Sequence, residues 1–171
     1  MNKSLPLPVN SIENINTIQS MKEFSSVDDI LDFAIENEQA AVDFYTRLAG
    51  NSRNEEMKKV FTQFAGEEMG HKARLLKVKE EGAFAFQKNE ILDLRLSDYL
   101  VSVTPSPDMS YEEALVLAMK REKAAFKLYT RLSEKTSDEK LQQLFQALAI
   151  EESRHKLRFE VEYDEFVMKE N

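Results

Sequence analysis

An internal repeat constrains this chain more than any other feature of its sequence. Shifted by 84 residues, Ser26 falls on Ser110, Ala34 on Ala118, Glu38 on Glu122 and Ala41 on Ala125. The string Tyr45-Thr46-Arg47-Leu48 falls on Tyr129-Thr130-Arg131-Leu132, and Phe61 falls on Phe145. Ala65 then meets Ala149, Glu67-Glu68 meets Glu151-Glu152, and His71-Lys72 meets His155-Lys156. From Ser26 to Leu76, 18 of 51 positions are identical. Shared helical composition explains repeated alanine and leucine, but not a YTRL string and an E-x-x-H string at one common offset. The chain therefore carries a duplicated unit, about residues 26–82 and 110–166.

Each copy reads as a helical hairpin. The stretch from Val27 to Gly50 is rich in helix formers and free of proline, with Ser25 or Ser26 available as a cap. Asp28 and Asp29 sit in its first turn, where they complement the helix dipole. Asn51-Ser52-Arg53-Asn54 is turn chemistry, and a second helix runs from about Glu55 to Glu81, closed by Gly82. In the second copy, Ser110 with Glu113 spells a capping box. A third helix runs to about Glu134, Thr136-Ser137-Asp138 turns, and a fourth helix runs from about Glu139 nearly to the end. Residues 1–24 read as an N-terminal arm with a short helical piece near Ile15 to Met21. Residues 83–109 read as a long, partly ordered crossover with a short helix around Ile91 to Val101. The sequence thus predicts an all-α protein: residues 25–171 form a four-helix bundle of two antiparallel hairpins joined by one long connection.

The helix stripes facing inward can be read from 3-4 spacing. They run Leu31, Ala34, Glu38, Ala41, Tyr45, Leu48 and then Met57, Phe61, Phe64, Glu68, His71, Leu75. The second copy gives Leu115, Ala118, Glu122, Ala125, Tyr129, Leu132 and Leu141, Phe145, Leu148, Glu152, His155, Phe159. Each stripe is apolar except at its middle, where carboxylates and histidines interrupt it. Such groups are costly in a core unless paired or metal-bound. Glu38 and Glu68 are 30 residues apart with their midpoint in the first turn, and Glu122 and Glu152 repeat that spacing about the second turn. At ~1.5 Å rise per residue the chain climbs and descends equal distances, so both glutamates of a hairpin reach one level. The i,i+3 spacing puts His71 on the face of Glu68 and His155 on that of Glu152. These are the only two histidines in the chain. The result is a four-glutamate, two-histidine set in the bundle core: Glu38, Glu68, His71, Glu122, Glu152 and His155.

Four carboxylates in one place repel, and two divalent ions cancel them. Oxygen-rich ligation with one imidazole per ion suits two iron ions, or manganese, with zinc a possible occupant. Tyr45 and Tyr129, seven residues after Glu38 and Glu122, are placed to hydrogen-bond a ligand carboxylate or carry electrons; an ordinary core tyrosine would fit the same register. The alanines at 34, 41, 118 and 125 leave room for an oxidant, or serve close helix packing. Glu162, at inward register near the bundle end, reads as a solvated carboxylate.

Composition excludes several other chemistries. The chain has no cysteine, which removes disulfides, thiolate nucleophiles and iron–sulfur clusters. Its 31 acidic and 23 basic residues give a net charge of −8, which repels nucleic acid. No apolar run approaches a membrane span of about 18 residues, and the N-terminus lacks a signal-peptide core, so the expected location is cytoplasmic. Phe84, Phe86, Leu92, Leu94 and Leu96 in the crossover need cover, and a homodimer is expected to supply it.

At these residues the chain resembles the ferritin-like di-iron carboxylate superfamily, and within it the rubrerythrin-like branch. The A-x-x-x-E-x-x-A-x-x-F-Y string of that branch is matched by Ala34, Glu38, Ala41, Phe44 and Tyr45. Its A-x-x-E-x-x-H string is matched by Ala65, Glu68 and His71, and again by Ala149, Glu152 and His155. The resemblance spans about residues 26–165. It implies a ferritin-like bundle in which Glu38 and Glu122 are terminal carboxylates, Glu68 and Glu152 bridge, and His71 and His155 are terminal nitrogen ligands. It also implies a di-iron oxidoreductase that reduces hydrogen peroxide or dioxygen. A ferroxidase or iron-storage protein, a di-iron hydroxylase of an organic substrate, and an interaction module with a vestigial site stand beside that reading. Two departures bear on it. Rubrerythrins usually carry a rubredoxin domain with four cysteines, so electrons are expected here from a separate, rubredoxin-like donor. They also carry an additional glutamate three residues after the third-helix ligand, where this chain has Ala125. The remaining six-ligand set looks as much like a bacterioferritin ferroxidase centre.

Overall fold

The computed structural model describes Phe24, residues 26–52, 55–82, 98–101, 105–106 and 108–170. Within them lie four helices: α1 (Val27–Asn51), α2 (Glu55–Glu81), α3 (Tyr111–Lys135) and α4 (Glu139–Glu170). The ends are set by local chemistry. Ser26 accepts from the Asp29 amide at 3.1 Å and starts α1. Ser110 and Glu113 form both bonds of the capping box, at 3.1 and 2.8 Å, and start α3. Asp138 accepts from the Leu141 amide at 3.0 Å and starts α4. Gly82 ends α2 in the left-handed region at φ 61°, its amide bonded to Val78 at 3.4 Å, a conformation that costs a residue with a Cβ.

The protein is an all-α, ferritin-like four-helix bundle. Helices α1 and α2 form one tight pair and α3 and α4 the other, while α1 and α3 meet over a short stretch. The apolar stripes build two core clusters. One joins Ile30, Leu31 and Ala34 of α1 to Leu75 of α2, Leu132 of α3 and Leu141, Phe145 and Leu148 of α4. The other joins Phe44 and Tyr45 to Met57, Phe61 and Phe64, Leu115 and Ala118, and Phe159. The repeat exchanges them: Leu31 corresponds to Leu115, Phe61 to Phe145 and Leu75 to Phe159. The two copies are thus related by a two-fold running across the bundle, with each cluster filling one end. Helix α2 finishes in the first cluster and α3 begins in the second, so the chain must traverse the bundle's length between Gly82 and Ser110, as the long connection predicts. Each fully buried Leu or Phe contributes about 1.5–3 kcal/mol, which holds the four helices around the less favourable polar layer between the clusters.

The short helix near Ile15 to Met21, the turn midpoint at Arg53 and the crossover residues Phe84, Phe86, Leu92, Leu94 and Leu96 lie outside the described residues, as does most of the segment Ile91 to Val101. No helix among the described residues is long and apolar enough to cross a membrane.

Candidate metal centre

The polar layer is built by one position on α1, two on α2, one on α3 and two on α4. Glu38, Glu68, His71, Glu122, Glu152 and His155 are all buried, none more than 4% exposed. The apolar stripe that makes their neighbours core residues buries these six with them. All six predicted residues come together. Ligand-type atoms of Glu38, Glu68, His71 and Glu152 lie within 4.8 Å of one another, and so do those of Glu68, Glu122, Glu152 and His155. Glu68 and Glu152 belong to both groups. The two imidazoles are nearly parallel, 11° between planes and 5.7 Å between centroids, one per group.

Both histidines turn Nδ1 inward. His71 Nδ1 lies 2.9 Å from Glu152, 3.0 Å from Glu68 and 3.7 Å from Glu38. His155 Nδ1 lies 2.9 Å from Glu68, 3.5 Å from Glu122 and 3.6 Å from Glu152. Despite these approaches, neither oxygen of Glu68 and not His155 Nδ1 has an aligned hydrogen bond. His71 Nδ1, by contrast, is hydrogen-bonded to Glu152. A carboxylate 1% exposed with no hydrogen bond carries a large desolvation cost that a cation would offset. The donor set thus fits a pair of divalent ions, one in each group, whose charge balances the four carboxylates.

Around this layer runs a second set of contacts, each crossing from one hairpin to the other. Tyr45 donates its hydroxyl hydrogen bond to Glu122, and Tyr129 donates to Glu38. Each tyrosine therefore serves the glutamate of the other repeat, not that of its own helix. On the outer side, His71 Nε2 meets Glu151 at 2.7 Å and His155 Nε2 meets Glu67 at 2.5 Å. A carboxylate on the far nitrogen orients an imidazole and raises its basicity toward a metal. The two carboxylates are held differently. Arg74 pairs with Glu151 at 3.3 and 2.5 Å, whereas the Gln63 amide donates to Glu67 at 2.7 Å.

Electrostatics follow the geometry. Burial, with the Glu68 charge added, raises the Glu38 carboxyl to about 8 against the pull of His71. Burial also raises Glu152 well above the usual carboxylate range, helped by Glu68 and Glu122. Glu68 goes the other way: burial disfavours its charge, but His155 and His71 outweigh that and lower it to about 2. Burial likewise opposes charge on His71, and Glu152, Glu38 and Glu68 overcome it and raise the ring to about 12. His155 is raised in the same way by Glu122, Glu152 and Glu68. Tyr45 and Tyr129, buried beside carboxylates, are raised far above an ordinary phenol and stay protonated donors. Without cations, then, the layer is held together by protons.

Sequence spacing alone does not single out Glu67 and Glu151 as functional. Their signal was present, since both copies spell E-E-x-x-H and the first glutamate recurs as faithfully as the second. Which histidine each would reach depends on how the hairpins dock. Glu162 also differs from expectation: it is half-buried and accepts from Tyr111 at 3.0 Å, so it is a partnered carboxylate rather than a solvated one. A cavity of about 140 Å³ lies against the layer and is lined by Glu38, Glu68, Glu122 and Glu152. A larger hollow of about 780 Å³, beside Ser106 to Lys120, contains none of the six residues.

A four-helix bundle with a buried carboxylate–histidine core drawn evenly from two repeated hairpins defines the class of ferritin-like metal-binding proteins. Within that class, the family model described as Rubrerythrin matches residues 29–163, and the chain belongs to the rubrerythrin family, whose members hold a di-iron centre. Neither the curated proteins nor the solved structures contain a significant match to it.

Proposed function

We propose that this protein is a non-haem di-iron oxidoreductase that reduces hydrogen peroxide or dioxygen. The observation that carries the reading is the pair of buried groups that overlap at Glu68 and Glu152. Glu38 with His71 would hold one ion, Glu122 with His155 the other, and Glu68 and Glu152 would bridge them. A bound pair of redox metals supplies two electrons at one place, which is the requirement of breaking an O–O bond. The protein's own residues set the conditions for that chemistry. Tyr45 and Tyr129 hold Glu122 and Glu38 in place, and Glu67 and Glu151 fix the rings of His155 and His71. Phe64 lies 4.7 Å from the His155 ring and Phe159 lies beyond it, so one end of the layer is sealed by aromatic side chains. Reducing peroxide to water consumes two electrons and two protons. In our reading the electrons come from a rubredoxin-like donor outside these 171 residues, which contain no cysteine.

A second reading is supported by one feature. With Ala125 where a further carboxylate would sit, the six ligands are symmetric under the repeat, which favours a ferroxidase that oxidises iron for storage. The small cavity argues against hydroxylation of a bulky organic substrate. We also propose a homodimer. Met69, Leu76, Ile150 and Leu157 are exposed at 58, 37, 51 and 59% on α2 and α4, an apolar surface that a second copy would cover, and light scattering on the purified protein tests it.

Anaerobic titration with ferrous iron should saturate at two ions per chain, one for each ligand group. Glu68→Ala, which removes a ligand from both groups, should abolish binding of the pair; unchanged stoichiometry in that variant refutes the assignment. Stopped-flow oxidation then separates the two readings. Much faster oxidation by peroxide than by dioxygen supports the peroxidase, and accumulation of many ferric ions per chain under dioxygen supports the ferroxidase.

A further inference from the structure

The duplication that makes the six ligand residues equivalent leaves the two ends of the bundle chemically different. Beyond Tyr45 the ring of Phe159 stacks at 5.4 Å between centroids, that of Phe61 follows at 6.4 Å and that of Tyr111 at 6.1 Å. These four side chains form a continuous run of rings from the ligand layer to the start of α3. The repeat-related positions hold Tyr129, Leu75, Phe145 and Val27, so the equivalent run is broken at Leu75 and ends on an aliphatic residue where Tyr111 stands. Leucine and valine fill a core as readily as rings do, so packing alone does not call for the difference. The two tyrosines of the run share a second feature. Tyr45 donates to Glu122 at the inner end, and Tyr111 donates to Glu162 at 3.0 Å at the outer end. Each phenol therefore has a carboxylate placed on its proton.

That pairing suits oxidation of the phenol. A phenol that loses an electron becomes strongly acidic, and a carboxylate already on its O–H takes the proton and eases the step. Burial and Glu162 hold the Tyr111 phenol well above its ordinary range, against the pull of Arg158, so its proton stays until the electron leaves. Phenylalanine rings are much harder to oxidise, so Phe159 and Phe61 act as a bridge and the tyrosines as its two stations. Tyr45 is fully enclosed and Tyr111 half-buried, which puts the outer station within reach of solvent. We infer that Tyr111 is a redox-active residue that supplies electrons to the metal pair through Phe61, Phe159 and Tyr45. In each event Tyr111 gives one electron to the peroxide-oxidised metal pair and its phenolic proton to Glu162, and becomes a neutral tyrosyl radical. A one-electron reductant of the phenol or ascorbate type then returns the electron from solvent, and Glu162 returns the proton. The route stands beside the protein donor proposed above, deepens the oxidoreductase reading and rests on it.

The test uses the full-length protein loaded with ferrous iron and mixed with hydrogen peroxide. Samples are frozen rapidly for electron paramagnetic resonance, and parallel samples receive a nitroso spin trap and are mapped by peptide mass spectrometry. The wild-type protein should show a tyrosyl radical and a trap adduct on Tyr111. Tyr111→Phe should lose that signal and that adduct while holding the wild-type complement of iron. Glu162→Gln, which keeps the shape and cannot take the proton, should lower the radical yield. Phe159→Leu, which installs the residue of the other copy, should leave Tyr111 present but unlabelled. Tyr163→Phe is the control. It removes the neighbouring phenol–carboxylate bond, Tyr163 to Glu112 at 2.9 Å, and lies outside the run, so radical and adduct should persist. A radical of wild-type yield in Tyr111→Phe overturns the route, as does a Tyr111 adduct undiminished in Phe159→Leu; the first decides the matter if Phe159→Leu folds poorly. If peroxide leaves the bound iron ferrous, read from the missing ferric absorbance, the oxidoreductase reading falls and this route with it.

Discussion

At the scale of the residue, the centre depends on side chains that never reach its middle. Glu151 touches His71 through Nε2 and Glu67 touches His155 in the same way, leaving each Nδ1 free to face the carboxylates. The two relays are not equivalent, because the Arg74 cation neutralises Glu151 whereas the neutral Gln63 amide donates to Glu67. Glu151→Gln keeps the size of the side chain and removes its charge, so His71 loses basicity. Losing such an outer partner typically weakens metal affinity about 10–100-fold. The lower end of that range is expected here, since Arg74 already draws charge from Glu151. Calorimetric titration with manganese should therefore show one weakened ion of two in Glu151→Gln and a larger loss in Glu67→Gln. Unaltered affinities in both variants would mean that these carboxylates do not act on the histidines. The two glutamates were visible in the sequence as a repeated E-E-x-x-H, but their targets lie 80 and 88 residues away. No local spacing points to such partners.

At the scale of the element, each helix is set by signals that need only neighbours in sequence. The Ser110–Glu113 box satisfies two amides at the start of α3 that the helix itself leaves without a partner. Ser110→Ala should lower stability by about 1 kcal/mol in urea unfolding, because the Glu113 amide loses its acceptor. Gly82→Ala should cost about 1–2 kcal/mol for a different reason. The nearest atom to an added Cβ is the Glu80 carbonyl oxygen at 3.9 Å, so the penalty is backbone strain at φ 61° and not a clash. If both variants unfold at the wild-type midpoint, the ends of α2 and α3 are held by tertiary packing rather than by their caps. The four helix spans were legible in the sequence to within about a residue because caps, turn residues and apolar periodicity agree on them. The crossover was less legible: residues 83–109 hold no sustained period.

For the whole molecule, stability and metal binding should pull in opposite directions with pH. In the metal-free protein Glu38 is raised from 4.5 to about 8 and His71 from 6.5 to about 12, so both hold protons more tightly folded than unfolded. The stability they contribute is complete below their unfolded values and is lost as pH rises toward 8 and then 12. Glu68, lowered to about 2, contributes above 4.5 and loses its contribution as pH falls toward 2. A divalent cation displaces the same protons, so it binds more tightly as they leave. Between about pH 5 and pH 8, the melting temperature of the metal-free protein should fall, while the increase on adding manganese should grow. A manganese-induced increase that does not change with pH would show that ions bind outside the polar layer.

By itself the sequence determined the helices, their pairing into two hairpins and the level at which four glutamates and two histidines meet. Each of these follows from a fixed rise per residue, from capping chemistry within a few positions, and from a duplication readable at one offset. Tertiary structure alone decided the contacts that cross between hairpins: Tyr45 to Glu122, Tyr129 to Glu38, Glu67 to His155, and Glu151 to His71. It also decided that Arg121 and Asn37 face one cavity. The reason is geometric. Periodicity specifies which face of a helix turns inward, whereas the partner met there depends on how the two hairpins dock, through apolar contacts dispersed along all four helices.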